Sequence, residues 1–432
     1  MNSFPVGTPA HRRLPALPVP ICFPLAGDIP VGGGHVSVLL LIQNLDRRRF
    51  RPIIAVHGDG PVRRWLAEQG GVPEIEALQK CVRDRHRVRI GEVALICRRS
   101  WALARFLRER KVQIVHINDT IMLQTWALAA RLAGAKLLWH KRGPWNDRWL
   151  HRLWFRAADH VIAISRYAAP PLPSPKCSII YNAAGDQQQT FDRAASRQHL
   201  LSEIGFPAST KILGFFADID KERKRPAVFL EIIAQVQRKS PQLRAVGLLF
   251  GQASSATQRQ LRARAESLGI ADRIRFMGFR YPAGPWIAGC DLLIVPSVDE
   301  GFGRTLVEAM VVGTIAVAAD SGGHREIIEE GETGFLVPPD DVRAFADRVC
   351  RLLERPNEVA ALARRSRQHA LERFGTHRHA QSVIEVYDGL LSADGRLPAA
   401  AVLLGAGIAD GGGELRRGAD VALRGRARRQ NP

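Results

Sequence analysis

Two carboxylates, Glu300 and Glu308, stand eight positions apart and bracket the run Gly301-Phe302-Gly303-Arg304-Thr305. Ahead of them, Leu292 to Val295 is apolar, too short for a helix and branched enough for a buried parallel strand, which Pro296 and Ser297 end. Behind them a helical pattern runs from about Arg304 to Val312, with Thr305 in its first turn. A strand, a glycine loop and a helix start form an anion site, because unpaired backbone N–H groups and the positive end of the helix dipole face the loop. The glycines let a ligand approach the backbone closely, and a diphosphate fits such a place. Two acids beside a phosphate are electrostatically out of place. The chemistry that suits them is accepting hydrogen bonds from ligand hydroxyls, as carboxylates do for sugars and riboses. Taken alone, they read equally well as solvated helix charge.

This stretch resembles the Glu, seven residues, Glu signature of retaining glycosyltransferases of family 4, which have the GT-B fold. The likeness continues through Asp320-Ser321-Gly322-Gly323-His324-Arg325-Glu326 and Glu332-Thr333-Gly334-Phe335-Leu336-Val337. The resemblance implies that Glu300 holds hydroxyls of a donor sugar, Glu308 holds a ribose, and the backbone around Gly303, Arg304 and Thr305 holds a diphosphate. It extends to Gly32-Gly33-Gly34, similar to a glycine loop near the donor phosphates and the acceptor, although a bare glycine triplet is by itself a flexible turn. Arg223-Lys224-Arg225-Pro226 resembles the family's basic segment, with Lys224 the best match for the group that reaches the diphosphate and Arg223 beside it. Read on its own this is a solvated turn, and the family's usual arginine a few residues earlier falls near Asp218. Met277-Gly278-Phe279-Arg280 is similar to the segment that meets the nucleotide base.

Two strand-like runs, Val112 to Ile117 and Ala135 to His140, end in polar residues at what should be their carboxyl ends, where open α/β sheets bind ligands. Many family members have a histidine where Asn118 stands here, so the first-domain candidates become His140 and Arg142, although a lone histidine is more often structural. The catalytic set expected from the resemblance is His140, Lys224 and Glu300. The donor-binding set is Gly33, Gly34, Arg142, Arg223, Gly278, Phe279, Gly301, Phe302, Gly303, Arg304, Thr305 and Glu308. The family works without a divalent metal, so neither a metal nor another cofactor is expected, and no carboxylate pair like the Asp-x-Asp of metal-dependent transferases is read in the chain.

These residues need elements to position them, and strands alternating with helices in both halves predict two doubly wound α/β domains facing a cleft. The chain of 432 residues suffices for two such cores. The expected order is a disordered N-terminus (1–17), a Rossmann-like domain (18–184), a polar linker (185–210), a second such domain (211–375), a final helix (376–391) and a disordered Ala-, Gly- and Arg-rich tail (392–432). The resemblance implies that the first domain is the acceptor side, the second binds the nucleotide sugar and the final helix crosses back to the first. Ala158 to Arg166 is read as a strand ending in a helix-capping serine, Ser165.

A composition of 46% hydrophobic and 24% charged residues is that of a soluble globular protein, and no apolar run reaches the roughly 18 residues that span a bilayer. With no signal-peptide core either, a cytoplasmic location is expected. Six scattered cysteines fit reduced, buried thiols. The net charge of +20 invites an anionic partner. Ten Lys or Arg face three acids between Lys80 and Arg110, and a helix there places Ile96, Leu103 and Leu107 on one side and Arg98, Arg105 and Arg108 on the other. This is either a surface helix packed on its own domain or a contact with an anionic membrane surface or acidic acceptor, which would make the protein peripheral at the inner face of the membrane.

The reading is therefore transfer of a hexose from a nucleotide diphosphate sugar to a glycan or lipid-linked acceptor hydroxyl, with retention, in cell-envelope or exopolysaccharide synthesis. The alternatives are a nucleotide-sugar 2-epimerase on the same fold and a basic nucleic-acid-binding protein. The latter has no supporting helix-turn-helix, zinc or aromatic RNA-binding signature.

Overall fold

The computed structural model describes residues 17–73, 75–78, 93–145, 149–183 and 191–392. Apart from Leu17 and Ser392, the N-terminus and tail expected to be disordered lie outside the described residues, as do positions 80–92 of the basic stretch.

The first half builds a parallel sheet from β1 (Val19–Ala26), β2 (Phe50–His57), β3 (Ile75–Leu78), β4 (Ile114–Ile117), β5 (Lys136–Lys141), β6 (His160–Ala163) and β7 (Cys177–Ile179), in the order β3-β2-β1-β4-β5-β6-β7. The helices between them are α1 (Gly33–Gln43), α2 (Pro61–Ala67), α3 (Val93–Glu109), α4 (Thr120–Ala133) and α5 (Trp149–Ala157). Both sheet faces are covered, which is why the strands read as apolar runs rather than alternating ones. Leu103, Leu107, Trp126 and Phe155 from α3, α4 and α5 pack on one face with Val115 and Trp139. On the other face Val38 and Leu41 of α1 pack with Ile21, Ile54 and Leu138.

The second half begins with α6 (Arg193–Ile204), followed by β8 (Lys211–Phe216), α7 (Pro226–Lys239), β9 (Ala245–Phe250), α8 (Ser255–Ser267), β10 (Ile274–Gly278), α9 (Gly284–Ala288), β11 (Leu292–Val295), α10 (Arg304–Val311), β12 (Ile315–Ala319), β13 (Phe335–Val337), α11 (Val342–Leu353) and α12 (Pro356–Phe374). Its six parallel strands run β10-β9-β8-β11-β12-β13. The final helix, α13 (Thr376–Leu391), leaves this half and buries Val383, Ile384, Val386 and Tyr387 in the first core. The three aliphatic residues contribute on the order of 2 kcal/mol each to that docking.

Two local expectations are corrected. Residues 193–204, expected as linker, form α6, with Asp192 accepting from the N–H groups of Ala194 and Ala195 and Gly205 closing the helix at φ 70°. Leu200 and Leu201 join the second-half core with Val246 and Met277. Ser165 caps no helix. Its Oγ accepts from the Ala168 N–H within a turn and donates to the Gly301 carbonyl of the other domain.

Candidate active site

Parallel strands present their carboxyl ends along one edge, and the two sheets point those edges at each other across a cleft of about 620 Å³. On the second-domain wall, β11 feeds the Asp299–Gly303 loop and α10 begins at Arg304. Gly303 makes that turn at φ 110°, a conformation that strains any residue with a side chain, and no side chain caps the helix. Glu300, almost fully buried, receives Arg223 Nη1 at 2.8 Å and the Lys224 ammonium. Both cations come from a short 3₁₀ turn, Glu222–Lys224, between β8 and α7. A bond from the Val298 N–H to the Arg223 carbonyl at 2.9 Å fixes that turn against the Glu300 loop. Burial pushes the Glu300 carboxyl up, and the Lys224 and Arg223 charges and hydrogen bonds outweigh it, so its pKa lies below the usual range.

One turn into α10, Glu308 pairs with Arg304 Nη2 at 2.9 Å. Burial raises the Glu308 carboxyl and the Arg304 charge partly offsets this. Arg304 Nη1 is buried without a partner among the described residues, leaving one donor open at the cleft. Phe216 and Phe250 stack at 4.2 Å between ring centroids, and Phe279, 45% exposed, lines the same wall.

The first-domain wall is built from distant segments. Arg142, just past β5, donates through Nη2 and Nε to Asn118 Oδ1 (2.7 and 3.1 Å) and through Nη1 to Asn182 Oδ1 (2.5 Å). Its partners are neutral amides. Burial, with the Arg304 charge nearby, lowers its pKa to about 9. Behind it lies a stack of imidazoles. His116 and His140 are 5.3 Å apart between centroids, and His140 and His379 of α13 are 5.9 Å apart. His116 Nδ1 lies 2.6 Å from the Tyr387 hydroxyl and its Nε2 lies 3.2 Å from His140 Nδ1. Burial, reinforced by the Arg142 charge, holds His116 and His140 well below the ordinary histidine range.

The walls meet at the glycines. A Cβ on Gly33 would lie 3.2 Å from Arg304 Nε, so the Arg304 side chain lies close to the start of α1. Below the cleft, Glu326 accepts from the backbone N–H groups of Arg166 and Tyr167 at 2.8 and 2.9 Å, and the Tyr167 hydroxyl donates to Asp299 at 2.8 Å.

Against this geometry, Glycosyltransferase Family 4 matches residues 31–183 and Glycosyl transferases group 1 matches residues 210–355, one on each wall. The chain belongs to the family 4 glycosyltransferases. It is 28% identical over 242 residues to the lipopolysaccharide core biosynthesis mannosyltransferase LpsB of Rhizobium meliloti, covering 55% of this chain and 67% of the relative. It is 32% identical over 232 residues to a D-inositol 3-phosphate glycosyltransferase of Saccharomonospora viridis, covering 50% of this chain and 53% of the relative. The match thus spans about half to two thirds of these curated relatives. Anabaena HepE, solved with UDP and glucose, shares the GT-B fold at a TM-score of 0.72 and 22% identity, over 85% of this chain and 99% of HepE.

In this family 4 glycosyltransferase the cleft gathers Gly33, Gly34, Arg142, Arg223, Lys224, Phe279, Glu300, Gly301, Phe302, Gly303, Arg304, Thr305 and Glu308. Two expected residues stand elsewhere. Gly278 ends β10, and its carbonyl accepts the Gly251 N–H at 2.9 Å, so it turns Phe279 inward without lining the cleft. His140 does not reach the cleft and is fully buried. Side chains alternate along a strand, and this register points His140 with Leu138 at the layer holding α13. Arg142, past the strand end, turns into the cleft.

The cleft also contains Asn182, Gln252, Tyr281 and His324, which the sequence reading did not assign to the site. His324 lies in the Asp320–Glu326 run, but nothing in the local pattern of His324 or Asn182 shows where either side chain points. The expectation that the chain has no Asp-x-Asp pair is corrected: Asp218-Ile219-Asp220 is one, and Asp218 lines the cleft. Asp220 is engaged by Ser254 and Thr257, and among the described residues no group of three His, Cys, Asp or Glu can hold a metal. The described cysteines, Cys22, Cys177, Cys290 and Cys350, are free thiols. No helix among the described residues is long and apolar enough to cross a membrane.

Proposed function

We propose that this chain is a retaining hexosyltransferase that takes a hexose from a nucleotide diphosphate sugar and joins it to an acceptor hydroxyl in cell-envelope or exopolysaccharide synthesis. The observation that carries the reading is the Glu300 carboxylate, held by Lys224 and Arg223 beside the uncapped start of α10 and facing the Gly32–Gly34 loop across the cleft. Lys224, the open Arg304 donor and the α10 N-terminus supply positive charge where a departing diphosphate becomes more negative, which is where fixed charge lowers a barrier. Glu300 accepts from sugar hydroxyls and Glu308 from the ribose. Phe279 offers a partly exposed ring to the base. The UDP and glucose found with HepE, and the activities named for LpsB and the inositol phosphate enzyme, support this donor class and a glycan or phosphorylated acceptor. Incubation with UDP-, GDP- and ADP-hexoses, with proton NMR of the anomeric signal, tests it. The expected product keeps the donor's anomeric configuration, and nucleoside diphosphate appears only with an acceptor. An inverted product contradicts retention. Release without acceptor, together with an epimerised sugar, selects the 2-epimerase alternative.

A second element of the reading is association with an anionic membrane surface at its inner, cytoplasmic face. Helices α3, α4 and α5 cover one face of the first sheet and hold seven arginines (98, 99, 105, 108, 131, 152 and 156) against one acid, Glu109, which pairs with Arg105 at 2.7 Å. Trp101 and Trp149 stand 60% and 71% exposed on them. Exposed aromatics among arginines suit the headgroup region of anionic lipid. Sedimentation with phosphatidylglycerol vesicles at low salt is expected to retain the wild type and to release Trp149→Ala. No sedimentation of the wild type contradicts it. Duplex or single-strand binding that persists at physiological salt would favour the nucleic-acid alternative instead.

A further inference from the structure

His324 lines the cleft and has no part in the account above. It lies in the 3₁₀ turn Gly322–Glu326 after β12 and has no exposed surface. Its Nδ1 is 2.8 Å from the Ala319 carbonyl oxygen. A carbonyl only accepts, so Nδ1 carries the proton and Nε2 presents a lone pair. That Nε2 is buried and has no hydrogen-bond partner among the described residues. The ring backs the turn that opens α10, since a Cβ on Gly303 would lie 2.8 Å from His324 Cδ2 and 3.3 Å from Nε2. The charged groups acting on it are Glu300 and Lys224 across the loop and Asp320 on its own segment. Burial and Lys224 work against a protonated ring while Glu300 and Asp320 favour one, and the balance falls on the neutral side.

A buried acceptor without a donor, at the edge of a ligand cleft, points to a donor that the ligand brings. Phosphate oxygens bear no proton to give to Nε2, and the groups suited to phosphate here are donors: the α10 N-terminus, Lys224 and Arg304. A sugar hydroxyl does donate. We propose that His324 is a specificity-determining residue of the donor site, its Nε2 accepting a hydrogen bond from a hydroxyl of the transferred sugar beside Glu300. The proposal rests on the donor-site reading above and deepens it: His324 reads the sugar and not the nucleotide.

Calorimetric titration of the full chain with UDP, GDP and ADP and with their hexose conjugates tests this on wild type, His324→Asn and His324→Gln. Asn keeps a donor for Ala319 and removes Nε2, whereas Gln returns an acceptor near the Nε2 position. The expected result is that His324→Asn weakens the matching nucleotide sugar about tenfold, leaves the bare diphosphate within about twofold, and that Gln recovers much of the loss. Equal weakening of both ligands would mean a structural role and overturn the proposal, as would an unchanged Kd for the sugar in His324→Asn. Proton uptake when wild type binds the bare diphosphate, absent in His324→Asn, would reassign the ring to the phosphate. Wild type that binds none of the diphosphates overturns the donor-site reading itself, an outcome separate from failure of the His324 assignment alone.

Discussion

The two walls of the cleft hold buried charge in opposite ways. On the second-domain wall cation meets carboxylate: Arg223 and Lys224 on Glu300, Arg304 on Glu308. On the first-domain wall Arg142 is held by amide oxygens of Asn118 and Asn182 and backed by neutral imidazoles. Amides position a guanidinium without cancelling its charge, so Arg142 keeps its attraction for an anion. The paired wall must share its cations between Glu300 and the ligand. Under the proposed function the first wall attracts the donor and the second discriminates its sugar, because a paired carboxylate is both a hydroxyl acceptor and a restraint on its cations.

The largest effect that would break this comparison is on the second wall. Lys224→Ala and Glu300→Gln are each expected to lower kcat/KM for transfer by about 10²–10³, the scale of removing one fixed group at a developing charge. Steady-state kinetics with saturating acceptor checks this, and a loss below tenfold in both would deny the wall its role. Next, the amide cradle can be tested through stability. Asn118→Ala leaves a buried guanidinium short of an acceptor and is expected to cost about 1–3 kcal/mol in urea unfolding. Adding Arg142→Met to that variant should return part of the loss, since the charge needing the acceptor is gone.

A third prediction sharpens the first wall further. Burial, then the Arg142 charge, lowers His379 from the ordinary 6.5 to about 4. The unfolded chain then binds protons that the folded chain refuses, so stability is fully present above about pH 6.5 and is lost as pH falls towards 4. Each such histidine contributes roughly 1 kcal/mol per pH unit inside that window. Unfolding midpoints from pH 7.5 to 5 should fall for wild type and fall less steeply for His379→Asn, which keeps a donor for the Tyr181 carbonyl. The smallest effect is that of Tyr387→Phe, which deletes the hydroxyl 2.6 Å from His116 and should cost about 1 kcal/mol with little change in transfer.

The same contrast explains what could be read from the chain. The second wall is one continuous strand, loop and helix, so residue order alone brings Glu300, Gly303 and Glu308 to one place. The fold was legible for the same reason: buried parallel strands announce themselves as short apolar runs, whereas the crossing of α13 is implied by the family resemblance alone. The first wall joins Asn118, Arg142 and Asn182 with a helix more than 190 residues beyond the last of them. No local pattern encodes that meeting, and the strand register that sends His140 to α13 and Arg142 to the cleft emerges only when the sheet is packed. Residues 193–204 read as linker in the sequence because Leu200, Leu201 and Ile204, their large apolar residues, crowd the C-terminal half, too few and too close to show a helical period.

The most direct measurement is thermal stabilisation by UDP, GDP and ADP and their hexose conjugates, comparing wild type with Lys224→Ala and Glu308→Ala. A ligand at one hundred times its Kd stabilises the folded state by about 2.7 kcal/mol, enough for a clear shift. The account predicts a shift with one nucleotide that is lost in both variants. No shift with any of them, or a shift that both variants keep, would contradict a donor site between these walls.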